Sequence, residues 1–160
     1  ENCMRFFPST SSGQAICNIC LDESRDTSML MIVSRDIDME AVEKSGSFKG
    51  HYFVLGGVVP ILEKEPERKI RISNLEARIK KNKNIKEIVL AMNANQDGEN
   101  TAEYIKEKLS AMRTGGSANP DGGKTSKLII TILGRGLSTG AELEYADPET
   151  LKNAFLHRTK

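Results

Sequence analysis

Cys3, Cys17 and Cys20, and the oxygen-bearing run from Asn93 to Glu99 (Asn-Ala-Asn-Gln-Asp-Gly-Glu), are the residues whose types and spacing could do chemistry. The run follows apolar Ile88 to Leu90, which reads as a buried strand, and precedes a strongly periodic helix. It therefore lies at the carboxyl end of a strand, where sites in open α/β sheets collect. A divalent cation held there needs hard, charged oxygens pointing the same way, and aspartates on alternate residues supply them. Here the alternate positions are Asn93 and Asn95. The frame of a metal site is present and much of its charge is missing.

The cysteines are odd in number and include a Cys-x-x-Cys pair, Cys17-Asn18-Ile19-Cys20. In a reducing compartment such a pair points to a metal or redox element rather than a disulfide framework. Residues 1–21 have few periodic apolar side chains and contain the turn-rich Pro8-Ser9-Thr10-Ser11-Ser12-Gly13. A segment of that kind buries no core of its own and needs a staple or a neighbour.

The elements that must position these groups can be read from periodicity. Ser28 to Val33 is a continuous apolar run of strand length, ending in Ser34-Arg35-Asp36-Ile37-Asp38, where either aspartate can cap a helix. That helix is expected to pack through Ile37, Ala41 and Val42 and to stop near Ser45-Gly46. His51 to Leu55 is a second strand, closed by Gly56-Gly57, and Glu63 to Lys69 reads as a charged loop. Ser73-Asn74-Leu75-Glu76 has the form of a capping box for a short helix that packs through Leu75 and Ile79. Lys86 to Met92 is the third strand, and Glu99 to Met112 a helix with Ala102, Ile105, Leu109 and Met112 inward. Thr114 to Ser126 is a low-complexity loop, and Lys127 to Leu133 a fourth strand. Asp147-Pro148-Glu149-Thr150 starts a last helix packed by Leu151, Ala154 and Phe155. Strand and helix alternate, which predicts a mostly parallel α/β sheet covered on both faces.

With 160 residues and 38% hydrophobic content, the chain can form one domain with a real core and a small appendage. A net charge of +1 does not by itself demand nucleic acid. No apolar run approaches the roughly 20 residues that span a bilayer, so a cytoplasmic protein with no membrane partner is expected. The start at Glu1 rather than Met suggests a cut edge with something upstream. Lys80, Lys81, Lys83 and Lys86, with Arg68, Lys69 and Arg71, could contact phosphates or form a solvated helix cap. Gly122-Gly123-Lys124-Thr125 is not read as a phosphate loop, because a strand rather than a helix follows it.

Taken together, several of these stretches resemble a known family. Leu90 to Glu99 is similar to the second acidic motif of the Toprim fold, shared by topoisomerases, primases and the recombination mediator RecR. Cys17 to Asp26, Val42 to Gly46, Tyr52 to Gly57, Gly134-Arg135-Gly136-Leu137 and Glu142 to Leu151 resemble RecR in order and spacing, over nearly the whole chain to Arg158. The resemblance implies a Toprim (Rossmann-like) sheet flanked by helices, with a zinc-finger-like segment over 1–21, the Toprim domain over 22–147 and a carboxyl-terminal helical segment over 148–160. It also implies that an upstream helix-hairpin-helix DNA-binding region lies outside this chain.

The family's zinc finger has two Cys-x-x-Cys pairs. Here the first reads Cys3-Met4-Arg5-Phe6, with phenylalanine at the expected fourth ligand, and His51 and His157 are distant in sequence. Two readings stay open: zinc on Cys3, Cys17 and Cys20 as an incomplete ligand set, and a metal-free knuckle packed by Phe6 and Phe7, which is the stronger expectation. In the Toprim site, the resemblance puts Ser34 at the place of the acid-base glutamate and Asn93 and Asn95 at those of the metal-holding aspartates. Magnesium is not expected, since serine is no acid or base near neutral pH and amides carry no charge. The carboxylates left are Asp36, Asp38, Asp97 and Glu99. The resemblance assigns that acidic face to the basic partner RecO, with RecF as a second partner. The expected function is a non-enzymatic mediator of DNA repair and recombination, working as a homo-oligomer to load recombinase on gapped or single-stranded DNA. The alternative is a magnesium-dependent Toprim nuclease or primase fragment.

Overall fold

A computed structural model describes residues 3–5, 17–114, 128–134, 136, 140 and 143–156 of the chain. The strands β1 (Asp26–Val33), β2 (Gly50–Val54), β3 (Glu87–Ala91) and β4 (Ile129–Ile132) form one sheet in the order β2-β1-β3-β4. All three pairings are parallel. The helices are α1 (Asn18–Leu21), α2 (Asp36–Ser45), α3 (Pro66–Lys69), α4 (Ile72–Lys81), α5 (Gln96–Thr114) and α6 (Pro148–Leu156), with a 3₁₀ turn at Leu143–Tyr145.

A strand's side chains alternate between faces, so each apolar strand feeds two cores. Leu30, Ile32, Phe53, Leu55, Ile88 and Leu90 point to one face, where Ile72 and Leu75 of α4 and Ala102, Ile105 and Leu109 of α5 cover them. Met31, Val33, Tyr52, Val54 and Val89 point to the other, under Met39 of α2 and Phe48. That is why the apolar runs are continuous rather than alternating. Each fully buried Leu or Ile contributes about 1.5–3 kcal/mol.

Helix ends follow local chemistry. In α2, Asp38 accepts the Arg35 backbone N–H at 3.0 Å, and the helix stops at Gly46, whose φ of 65° lies in the left-handed region. In α6, Asp147 Oδ1 accepts the N–H groups of Glu149 and Thr150 at 3.0 and 2.9 Å, the cap expected from Asp-Pro-Glu-Thr.

Four local expectations need correction. Ile37 is 65% exposed and Ala41 is exposed; α2 packs through Met39 and Val42 instead. Ser73 caps nothing, because buried Ile72 pulls the helix start forward and Arg71 becomes the first flanking residue, its N–H bonded to Leu55 O at 2.9 Å. The charged stretch before it contains α3, with Pro66 in its first turn. Phe155 is 66% exposed and no residue of α6 is buried, Leu151 and Ala154 being partly so. The stretch 115–127, which covers nearly all of the expected Thr114–Ser126 loop, lies outside the described residues, as do Phe6, Phe7 and His157.

Candidate functional site

The carboxyl ends of adjacent β1 and β3 bring Ser34 and Met92 together, with Ser34 Oγ donating to Met92 Sδ at 3.5 Å. Ser34 is fully buried, and its carbonyl accepts the Gly56 N–H at 3.0 Å. The hydroxyl that stands at the expected acid-base position is thus part of the sheet edge, closed to solvent. Asn95 has an equally structural task. Its Oδ1 accepts the Gly98 N–H at 2.8 Å, the reach of an N-cap side chain to the third helical residue. This cap sets the start of α5 at Gln96, three residues before the expected Glu99. Gly98 then sits so close to the preceding loop that a Cβ would lie 2.1 Å from the Asn93 carbonyl oxygen.

The four carboxylates divide between two helix starts. Asp36 lies 4.0 Å from Arg5 Nε, and Asp38 is committed to the α2 cap. Asp97 and Glu99 stand in the first turn of α5, where the macrodipole favours negative charge by about 0.3–1 kcal/mol. Among the described residues no three of these acids gather around a common point, as the three cysteines do.

What opens beside Glu99 is a groove of about 620 Å³ between α5, the end of β4 and α6. Ile61, Met92, Ile132 and Leu133 supply its apolar lining, and Glu99 and Glu103 the acidic rim. Ile61, Ile132 and Leu133 are each about half exposed, at 55%, 47% and 48%. The loop carrying Ile61 is pinned to α5 by Asn100 Nδ2 donating to Val59 O at 2.9 Å and by Val59 N–H donating to buried Thr101 Oγ1 at 2.8 Å. Sequence reasoning found Glu99 but missed Glu103 and the apolar lining. Glu103 follows Glu99 at helical spacing, a signal that could have found it, whereas Ile61 meets Ile132 only through the fold.

The cysteines form a second cluster, far from this edge in chain order. The helical turn of α1 puts Cys17 and Cys20 on one side, and Cys3 joins them because its carbonyl accepts the Val54 N–H at 2.9 Å. The three sulfurs lie within 4.8 Å of one another, with Cys3 and Cys17 3.4 Å apart and both buried. A hydrogen bond from Cys20 holds the Cys3 thiol down at about 5 against its own burial, and the same contact pushes Cys20 up. The guanidinium of Arg78, itself pushed down by burial, feels the charge of all three sulfurs. Three thiols this close, beside a cation that offsets excess thiolate charge, can bind a metal such as zinc. His51 is not in the cluster.

No helix of the described residues is long and apolar enough to cross a membrane. Compared with known proteins, residues 28–116 match the model of the Toprim domain, and residues 136–159 match the model described as RecR, C-terminal. The chain is 37% identical to the recombination protein RecR of Streptococcus mutans, 38% to that of Staphylococcus saprophyticus and 35% to that of Lactobacillus helveticus. Each match covers 90% of this chain and 65% of the relative, so the chain spans about two thirds of the length of these proteins.

Proposed function

The chain belongs to the RecR family and carries its Toprim domain, and on that premise we propose that it acts as a non-enzymatic mediator of DNA repair and recombination. The observation that carries this reading is the fate of the positions where catalysis would sit. Ser34 is sealed into the sheet edge and Asn95 caps a helix, while Glu99 stands on an open groove. A site whose acid-base position and one of whose two metal positions are spent on structure, next to an apolar cleft with an acidic rim, is suited to holding a protein. The partner is RecO, a basic protein, with RecF as a second. Assembled as a homo-oligomer in the cytoplasm, the protein helps load recombinase on gapped or single-stranded DNA. The unit 22–147 provides the platform, the carboxyl-terminal segment contributes Asn153 of α6 to the groove, and the segment 1–21 is held by zinc on Cys3, Cys17 and Cys20.

Replacing Asp97 and Glu99 together by alanine tests the acidic face. Calorimetry is expected to give RecO binding weakened about tenfold, as for rim charges acting with an apolar centre, with the domain still folded and its melting temperature lowered only by the lost helix-start charges. Equal affinity for variant and parent would remove the acidic face from the interface. The same preparations, given labelled DNA and magnesium, are expected to yield no product; cleavage abolished by Glu99→Ala would favour a Toprim nuclease.

A further inference from the structure

Opposite the acidic groove, at the amino-terminal edge of the sheet, lies a second cavity of about 380 Å³ lined by Cys20, His51, Arg78, Lys81 and Asn82. It forms where the start of β2 meets the end of α4. Cations in the last turn of a helix are ordinary, because the macrodipole favours them there, and α4 ends in Arg78, Lys80 and Lys81. A solvated cap, however, accounts neither for the cavity nor for His51, which comes from a different element.

Every side chain that lines the cavity, Cys20 apart, offers a strong donor. Arg78 is anchored by Nη1 donating to Tyr52 O at 2.7 Å. Asn82 has its carbonyl oxygen occupied by the Asn84 N–H at 3.1 Å, so its NH₂ is the end it can offer. Burial and the nearby Arg78 and Arg25 hold His51 below its usual value, which makes it a neutral N–H donor near pH 7. The carboxylates acting on His51 are Asp22 and Asp26. Asp22 is engaged by Ser24 and Arg25, and Asp26 by Ser28, which blunts their field at the cavity. Beyond the rim, Lys49, Lys80, Lys83 and Lys86 are all exposed. A single free anion needs only the cavity, whereas a polyanion also uses the flanking cations.

We propose that this cavity seats a backbone phosphate of a nucleic acid, with Arg78 and Lys81 supplying charge and His51 and Asn82 supplying directed donors. The platform then has two poles, a protein-binding groove at the carboxyl edge of the sheet and a phosphate seat at the amino edge.

The test measures binding of a labelled oligothymidylate to the full chain by anisotropy across a salt series, alongside inorganic phosphate titrated against the His51 imidazole resonance. Lys81→Glu combined with His51→Gln changes groups that carry no core packing, and Lys81→Gln repeats the charge loss more mildly. The expected result is that both probes bind the parent, and that the double variant, with an unchanged melt, binds the oligonucleotide about tenfold more weakly with a salt slope shallower by about 1. An affinity and slope unchanged by the substitutions overturn the proposal, as does failure of the parent to bind the oligonucleotide. A His51 response to phosphate without oligonucleotide binding assigns the cavity to a free phosphate and overturns the nucleic-acid assignment. None of these outcomes touches the RecO prediction, which rests on the other edge.

Discussion

Arg25 is nearly closed off, its side chain 12% exposed, and it is bonded to both Glu43 oxygens and to Gly50 O, while Tyr52 Oη donates to Glu43 Oε2 at 2.8 Å. One carboxylate thus holds the two terminal nitrogens of a nearly buried cation and a buried phenol. Burial works against the Glu43 charge, but Arg25 and Tyr52 together leave its carboxyl below the ordinary 4.5. A carboxylate depressed on folding stabilises the native state above its unfolded value, and that contribution is lost as pH falls through the folded one. Glu43→Gln is therefore expected to cost about 1–3 kcal/mol at pH 7, by leaving the guanidinium with only the more exposed Asp22, 3.4 Å from its Nε, as counter-charge. In urea denaturation run as a function of pH, the gap between variant and parent should narrow as pH falls below the ordinary 4.5 of a glutamate and through the lowered folded value. A gap that does not change with pH would mean the cost is packing and not charge. This trio went unread in the sequence, because Arg25 precedes β1, Glu43 lies on α2 and Tyr52 on β2, and only the fold brings them together. Ser34 and Asn95 were legible as departures from a catalytic pattern, but their structural duties were not, since a buried hydroxyl against Met92 has no signature in the chain.

Helix α5 links the residue scale to the groove, because its first turn sets where Glu99 and Glu103 stand. Its apolar period was readable: Ala102, Ile105 and Leu109 are buried and Met112 packs against them. Its start was not, since a capping asparagine in a run of polar residues looks like any other. The same limit explains Ile37 and Phe155: helical spacing says which residues share a face, but not whether a neighbour exists to cover it. Gly98 tests how tightly this start is held. An added methyl would meet the Asn93 carbonyl at 2.1 Å, backbone against which no side chain can swing away. Gly98→Ala is expected to destabilise the domain by about 1–3 kcal/mol through overpacking, although alanine is the better helix former. It should also weaken RecO binding, since the displaced turn carries Asp97 and Glu99. A melting temperature equal to or above the parent's would show that the loop yields and that the cap alone sets the start of α5.

On the scale of the whole molecule, the parallel sheet separates the two chemistries. Acidic helix starts follow the carboxyl ends of β1 and β3, whereas Lys49 and Lys86 immediately precede the strands β2 and β3 at their amino ends. Continuous apolar runs alternating with helices announced such a sheet, but its order β2-β1-β3-β4 depends on which strands pair, and nothing local in the chain encodes that. The cysteine cluster likewise depends on tertiary contacts: the three thiols meet because Cys3 runs beside β2, which brings them within reach of one metal ion. Residues 3–5 are tied to the body by Val54 N–H to Cys3 O, Arg71 Nη1 to Met4 O at 2.7 Å and Arg5 to Glu40, and Met4 packs against the core. Thiols 14 residues apart in sequence that share one metal close a loop, and the free energy of binding becomes free energy of folding. About one zinc per chain is therefore expected on metal analysis of protein purified without chelator. Removal of the metal should lower the melting temperature by several degrees, as a loss of about 1–3 kcal/mol does in a domain of this size, and Cys17→Ser should reproduce the shift. Because thiolate ligands must shed their protons, the stabilisation should fade as pH drops and metal is released. Protein that carries no zinc, and whose melting is indifferent to added metal and to chelator, would return the segment to packing alone as its anchor.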